Sequence, residues 1–208
     1  MGPLVSHERT KRHKVHVIGC GAIAREILAV CTQQGLAHIS LSCLPAIFHN
    51  TPEKIVPGLR EELAKLRAEG GERFFIAYAD CGTGGMLDRF CEEEGVARIA
   101  GPHCYSFFAG NDAFAARWDD DLTAFFLTDF LARQFEAFVI EPLGLDRHPE
   151  LRDAYFGHYR KLVYLSQEED DALQQKAEAA AARLGLAYEY RFTGYGDLGP
   201  ALAQTGCD

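Results

Sequence analysis

Short apolar runs alternate along the chain with longer stretches that carry apolar residues at helical spacing. Runs of this kind, bounded by Gly, Pro and Asn, are typical of buried strands in a parallel sheet. The predicted strands are Val15 to Ile18, Ile39 to Leu44, Phe74 to Ala79, Val96 to Ile99, Ala124 to Leu127, Leu162 to Leu165 and Ala187 to Phe192. The predicted helices are Ala22 to Gln34, Thr51 to Glu69, Met86 to Glu94, Asp129 to Glu141 and Glu168 to Leu184.

This alternation predicts an α/β fold of the Rossmann-like kind, with a mainly parallel sheet and helices on both faces. The segments that begin at Val17 and Ala77 resemble each other, which suggests two weakly similar halves. No Pro/Gly/Ser-rich linker separates them, so we expect the halves to share one sheet. Residues 14–204 would then form a single domain, with a flexible lead-in over 1–13 and a tail over 205–208.

Composition narrows the class of function. The chain has 208 residues and a formal net charge of -9, which argues against a nucleic-acid partner because phosphate binding needs a basic surface. No apolar stretch reaches the roughly 20 residues that span a bilayer, and the first residues lack the apolar core of a signal peptide. We therefore expect a cytoplasmic protein without a membrane partner.

The odd number of cysteines in the chain, 7, favours reduced thiols over a disulfide framework.

Three thiols lie at or just after the ends of predicted strands. Cys20 and Cys81 each end an apolar run and open a Gly-rich turn, and Cys104 follows Gly101-Pro102. Since the carboxyl ends of parallel strands meet at one edge of a sheet, these thiols could hold zinc or another thiophilic transition metal. His103 or His49 would be the fourth ligand or a proton carrier. The alternative is that each cysteine is a small buried hydrophobe, and the absence of a C-x-x-C pair leaves that alternative open.

The other cysteines carry no such pattern. We assign them to the core or the tail: Cys31, Cys43, Cys91 and Cys207. Asp129, which follows the fifth predicted strand, is a candidate catalytic carboxylate at the same edge of the sheet. Its alternative role is that of a helix N-cap.

Two Gly-rich turns could bind a cofactor. Gly19 and Gly21 fit the G-x-G-x-x-A form of the dinucleotide fingerprint, which ends at Ala24. The second strand ends in Ser42 to Pro45 and lacks the acidic residue that binds the ribose, so NAD(P) is the weaker alternative. The glycines would then only permit a tight turn and close packing.

The second turn, which opens at Asp80-Cys81, contains Gly82, Thr83, Gly84 and Gly85. Backbone N–H groups near a helix N-terminus could bind an anion there, and we expect the positive helix end to lower the pKa of Cys81. The turn lacks the Lys of a P-loop, which argues against nucleotide triphosphate hydrolysis. A purely structural turn is the alternative.

Several motifs occur together in one order along the chain. They are Cys20-Gly21-Ala22, Leu44-Pro45 with His49-Asn50, Asp80 to Gly85, Gly101 to Tyr105, Phe126 to Leu131 and Leu143 to Pro149. In these motifs the chain resembles the family called domain of unknown function 1638, from about Val15 to Leu202. The resemblance implies one-carbon metabolism, because family members are often encoded near corrinoid-dependent methyltransferases of the trimethylamine and glycine betaine type. It assigns no reaction to any residue.

Three hypotheses follow. In the first, the protein is a metal-dependent enzyme or enzyme-like accessory whose metal acts as a Lewis acid on a small thiol or amine substrate. In the second, it is a noncatalytic partner of a methyltransferase or corrinoid protein and its metal is structural. In the third, it is an NAD(P)-binding oxidoreductase that uses Gly19 to Ala24. The chain lacks the Asp-x-His-x-x-Gly element of a corrinoid carrier, so we do not expect it to carry the corrinoid itself.

Overall fold

The computed structural model describes residues 13–206. Its strands are β1 Val15–Cys20, β2 Ile39–Leu44, β3 Phe74–Ala77, β4 Ala97–Arg98, β5 Ala124–Thr128, β6 Lys161–Ser166 and β7 Ala187–Phe192. Its α-helices are α1 Ala24–Gln33, α2 Ile55–Ala68, α3 Met86–Glu94, α4 Cys104–Ala109, α5 Asn111–Ala116, α6 Trp118–Asp121, α7 Asp129–Arg133, α8 Arg152–Phe156, α9 Asp171–Leu184 and α10 Leu198–Ala203. The mixed α/β fold with parallel strands flanked by helices confirms the Rossmann-like prediction.

The strands form two parallel sheets. The first has the order β2-β1-β3-β4 and the second the order β5-β6-β7. The expectation that both halves share one sheet is therefore wrong. The physical reason lies at β4, which has only two residues, Ala97 and Arg98, and so offers too short an edge for β5 to extend the same sheet. Helices α4, α5 and α6 follow it instead.

The first sheet is buried on both faces. Val17 packs with α1 and α10 on one side, whereas Ile18 packs with α2 and α3 on the other. Both side chains are fully buried, as the alternation of side chains along a strand between two helix layers requires. Because α1 follows β1 and α2 follows β2, the connections leave β1 and β2 toward opposite faces.

The second sheet is also covered on both sides. Tyr164 of β6 faces a cluster formed by α7, α8 and α9, while Val163 faces Tyr105 and Ala109 of α4. The same α4 contributes Phe107 to the core of the first sheet. Helix α4 is thus the element that packs against both sheets.

Several helix boundaries differ from their predictions. The helix expected over Asp129 to Glu141 is interrupted. Helix α7 ends at Arg133, and a wider π turn follows over Glu136–Ile140. The helix expected from Thr51 begins later: the Thr51 side chain makes no capping bond, and a 3-10 turn at Pro52–Lys54 precedes α2. The last long helix begins at Asp171, where the carboxylate of Asp170 accepts hydrogen bonds from two backbone N–H groups of its first turn.

The two ends of the described segment meet. The N–H of His13 donates to the carbonyl of Gly206, and Thr205 is buried. Most of the predicted lead-in (1–12) and the end of the predicted tail (207–208, with Cys207) lie outside the described residues. Within residues 13–206, no helix is long and apolar enough to cross a membrane.

Candidate functional site

The order of the first sheet creates a switch point between β1 and β3. These strands are neighbours, but the chain leaves β1 toward β2 and leaves β3 toward β4, on the opposite side. In open parallel sheets, the crevice at the carboxyl ends of two such strands is where ligands bind. Cys20 is the last residue of β1, and Cys81 lies in the turn after β3.

A small cavity lies at this switch point. Its volume is about 30 Å³, and Cys20, Cys81, Cys104 and His49 all line it. The rest of its wall is apolar or aromatic and includes Ile23, Ile55, Tyr78 and Phe107. The structure therefore brings the three predicted thiols and one of the two predicted imidazoles to one cavity.

The thiols are held in their protonated form. Burial raises the pKa of Cys20, and it raises the pKa of Cys81 to about 12, with the neighbouring Cys20 as a further cause. The pKa of Cys104 is also raised, first by burial and then by Cys81 and Cys20. The expectation that the helix end lowers the pKa of Cys81 is wrong, because desolvation outweighs the helix dipole at this position.

Cys81 has a strained backbone. Its φ of 48° is positive, and no other non-glycine residue between 13 and 206 has a positive φ. Left-handed backbone costs a residue with a Cβ roughly 1–2 kcal/mol. The N–H of Cys81 donates to the carbonyl of Pro102 at 2.8 Å, which ties this turn to the loop that precedes Cys104. Strain of this kind clusters at functional sites.

Two further side chains lie next to the thiols and carry no functional signal in the sequence. The Tyr78 hydroxyl is buried and has no hydrogen-bond partner of standard geometry, although the Cys20 thiol is close enough to interact with it. Tyr78 follows β3 in an apolar run, so its sequence context indicated only a core residue. Cys43, assigned to the core or tail, is exposed; it pairs with Gly19 in the sheet and lies near Cys20.

The remaining cysteines lie elsewhere. Cys91 is buried in the core, as expected, and Cys31 is half-buried on α1. Neither lines the cavity.

The two candidate histidines lie in different surroundings. His49, in the short 3-10 turn after β2, lines the cavity although the residue is exposed, and desolvation lowers its pKa. His103 caps α4, because its Nδ1 accepts a hydrogen bond from the N–H of Ser106 at 3.3 Å. Its ring packs on Tyr105 and Phe114 and does not line the cavity.

The Gly-rich turn after β3 is closed on itself. The carboxylate of Asp80 accepts hydrogen bonds from the Thr83 hydroxyl at 2.6 Å and from the N–H groups of Gly84 and Gly85 at 3.2 and 2.9 Å. Burial opposes ionisation of Asp80, but these bonds outweigh it and lower its pKa. Gly82, Gly84 and Gly85 all have positive φ. An anion from outside would compete with Asp80 for the same donors.

The glycines of the first turn are closely packed. A Cβ on Gly19 would meet Ile27 at 2.8 Å, and one on Gly21 would meet the carbonyl oxygen of Leu44 at 2.8 Å. In a dinucleotide-binding turn, the second glycine leaves room for the pyrophosphate. Here the backbone of residues 44–46 occupies the space beside Gly21.

Asp129 lies in a separate polar cluster at the carboxyl ends of β5 and β6. It is fully buried and accepts hydrogen bonds from the Tyr164 hydroxyl at 2.7 Å and from the N–H of Gln167 at 3.1 Å. Burial is the main reason that its pKa is raised. Arg133 lies 3.5 Å from Asp129 and 3.8 Å from Glu26 of α1, so this cluster connects the two halves. Asp129 does not line the thiol cavity.

The thiols are close together without forming a finished metal site. Within residues 13–206, no group of three or more His, Cys, Asp or Glu side chains has the arrangement of a metal-ligand set. A larger open depression, of about 810 Å³, lies at the opposite ends of the strands near Val15, Phe74 and Val96, and no cysteine lines it. Of these two cavities, only the small one is lined by thiols.

The fold and the cavity define an α/β protein with parallel sheets and a thiol-lined switch point. The chain belongs to the family described as Protein of unknown function (DUF1638), whose sequence profile matches residues 43–202. This confirms the family indicated by the sequence motifs. The matched range includes Cys81 and Cys104 and begins after Cys20. No curated protein and no solved structure matches the chain.

Proposed function

We propose that the protein binds a thiophilic metal ion, with zinc as the first candidate, through Cys20, Cys81 and Cys104. The observation that carries this proposal is that three free thiols and the imidazole of His49 line one cavity at the switch point of a parallel sheet. Thiolate and imidazole are the ligands that zinc prefers in proteins. The thiol side chains would have to move toward one another on binding, because within residues 13–206 they do not have the arrangement of a ligand set.

The size of the cavity favours an ion over an organic cofactor. A cavity of about 30 Å³ exceeds the roughly 10–15 Å³ that one water molecule needs, so it has room for an ion but not for a nicotinamide ring. The close packing beside Gly21 also disfavours a dinucleotide. For these reasons we place the metal hypothesis ahead of the NAD(P) hypothesis.

The protonated state of the thiols makes uptake of a cation depend on pH. Each thiol must lose its proton to become a ligand, and burial raises the pKa of all three. A divalent cation would replace those protons, and binding would strengthen as the pH rises. A reducing compartment keeps such thiols free, so the proposal places the protein in the cytoplasm.

The one-carbon metabolism implied by the family resemblance suggests what a bound ion would do. In methyl metabolism, a thiophilic ion acts as a Lewis acid that activates a small thiol or amine. Three protein thiolates would leave a fourth position for that substrate, and His49 at the cavity wall would take up the proton that the substrate releases. A methyltransferase or corrinoid protein would be the partner in that pathway.

The first experiment measures zinc per chain after reconstitution of the reduced, full-length protein. We expect about one ion in the wild type and in Cys31→Ser, whose half-buried cysteine lies outside the cavity. Cys20→Ser, Cys81→Ser and Cys104→Ser should each lose the ion while circular dichroism shows them folded. A wild type that takes up no zinc, or a Cys31→Ser variant that loses it equally, would overturn the proposal.

A second experiment separates an enzyme from a structural partner. The absorption bands of the cobalt-substituted protein report on its ligands, so small thiols and amines that reach the ion should shift them. A His49→Gln variant should keep the ion and shift the pH dependence of this change. Bands that never respond to such compounds would instead favour the noncatalytic role.

A further inference from the structure

We infer that a second copy of this chain pairs with the exposed edge strand β7, antiparallel and centred on Tyr190. The starting point is the position of β7 at the end of the second sheet, where only β6 pairs with it. Among the described residues, β6 and α9 are the elements that make extensive contacts with β7. Its other edge is open, and open edges are templates for pairing with another chain.

The direction of the backbone groups on β7 follows from two hydrogen bonds at its ends. The N–H of Ala187 donates to Arg160, and the N–H of Thr193 donates to Ser166, both on the β6 side. Because N–H groups alternate along a strand, those of Tyr188, Tyr190 and Phe192 point away from β6. These residues therefore present their N–H and C=O groups at the open edge.

The same residues carry large apolar side chains. Tyr190 is 37% exposed and Phe192 is 56% exposed. They share one face of the sheet with Tyr188, which packs against the core beneath α9. On this aromatic face, β7 carries none of the charged side chains or prolines that commonly protect an edge strand against pairing.

The charged residues of β7 select one register. With Tyr190 opposite the partner's Tyr190, Tyr188 lies opposite the partner's Phe192, and each of these pairs can exchange both backbone hydrogen bonds. Glu189 then lies opposite the partner's Arg191, so opposite charges face each other. A shift of this antiparallel register by two residues, the smallest shift that keeps the backbone groups paired, would place Glu189 against the partner's Glu189 or Arg191 against the partner's Arg191.

Ion pairs within one copy hold Glu189 and Arg191 in position for this register. Arg191 is fixed by Asp121 at 2.6 and 2.7 Å, and its Nε donates to Glu189 at 2.6 Å. Both side chains are therefore held in place on the face opposite the aromatic rings. Since β7 has only 6 residues, we expect a reversible dimer whose population depends on concentration.

The test is the mass of the full-length chain by light scattering over a wide range of concentration. The wild type should double its mass as concentration rises. Tyr190→Lys places two like charges at the two-fold axis and should stay monomeric, while Tyr155→Lys, which replaces a tyrosine of similar exposure (42%) on α8, should dimerise normally. A wild type that remains monomeric, or a folded Tyr190→Lys variant that dimerises like the wild type, would overturn the inference.

A crosslinking experiment tests the register. Residues opposite each other in such a pair have Cα atoms about 5.5 Å apart, which lies within the range of a disulfide bond. Tyr190→Cys should therefore form a covalent dimer under mild oxidation much faster than Tyr155→Cys or the wild type. Equal rates in the Tyr190→Cys and Tyr155→Cys variants would contradict the register centred on Tyr190.

Discussion

At the scale of single residues, Cys81 combines a strained backbone with a buried thiol. Its φ of 48° places it in the left-handed region that glycine adopts without cost. The thiol lines the cavity, and its backbone N–H is fixed by Pro102. A side chain retained in such a conformation indicates that this position serves the site more than the stability of the fold.

The strain at Cys81 predicts an unusual order of stabilities. Cys81→Gly should be more stable than Cys81→Ala by about 1 kcal/mol, because only glycine relieves the left-handed conformation. Both variants lose the thiol, so the comparison isolates the backbone. Urea unfolding of the two proteins measures the difference. Equal stabilities, or a more stable alanine variant, would show that the backbone at this position is not strained.

The raised pKa of Cys81 predicts a loss of stability in alkali. A thiol whose pKa rises from its ordinary value of 9.0 to about 12 on folding stabilises the protein fully below about pH 9. That contribution is lost as the pH rises from 9 toward 12. Cys81→Ser, which does not titrate in this range, should lose less stability over the same interval. Parallel curves for the two proteins in denaturant titrations at several pH values would argue against a buried thiol.

At the scale of elements, the turn between β1 and α1 depends on close packing. In Gly21→Ala, the new Cβ would meet the Leu44 carbonyl oxygen at 2.8 Å, and neither backbone segment can move freely. We expect a loss of about 1–3 kcal/mol in the free energy of unfolding. Gly199→Ala in α10 is the matched control, since its Cβ meets only the flexible end of Gln34 at 3.0 Å, and it should unfold like the wild type. Chemical denaturation of both variants decides this; a Gly21→Ala protein as stable as the control would mean that the space beside the turn is open.

The second sheet depends on an ion cluster around Asp121. This buried carboxylate contacts Arg191 at 2.6 and 2.7 Å and Lys161 at 2.8 Å, and bonds from both hold its pKa well below its usual range despite partial desolvation. Asp121→Asn should lower stability by about 2 kcal/mol, since bonds to charged groups are lost. Thermal unfolding near pH 7 measures this loss, with Asp120→Asn, an exposed neighbour, as the control.

The sign of the pH effect at Asp121 follows from the lowered pKa. The stabilisation is present above the ordinary pKa of 3.8 and is lost as the pH falls below it. The difference in stability between wild type and Asp121→Asn should therefore shrink below about pH 4. A difference that stays constant into acid would contradict the ion cluster.

Part of each sheet was predictable from the sequence. Strand β2 of the first sheet and strand β7 of the second have the limits that were predicted, and Met86–Glu94 agrees with the helical spacing. The three helices within residues 104–121 could not be predicted from the sequence, because α4, α5 and α6 are each too short to show a helical period. The division into two sheets depends on that segment.

The candidate site was predictable only in part. Cys20 and Cys81 follow strands, so sheet topology brought them together as expected. His103 differs because its ring caps α4, a role that depends on where that short helix begins. Tyr78 was missed, since a tyrosine in an apolar run has the same sequence pattern whether its hydroxyl faces a cavity or the core.

At the scale of the whole molecule, α4 connects the site to both sheets. Cys104 begins this helix and lines the cavity, Tyr105 stacks on Phe126 of the second sheet, and Phe107 packs in the first. The third thiol is therefore positioned by contacts with both halves. A metal ion held by all three cysteines would stabilise the arrangement of the halves as well as the cavity.

The most direct test of the proposed metal site is X-ray absorption at the zinc edge of the reconstituted full-length protein. Three thiolate ligands predict sulfur neighbours about 2.3 Å from the ion, with one lighter neighbour from His49 or solvent. The sulfur signal should fall in Cys81→Ser and remain in Cys31→Ser. A spectrum of nitrogen and oxygen neighbours alone, or a protein that retains no zinc, would contradict the account.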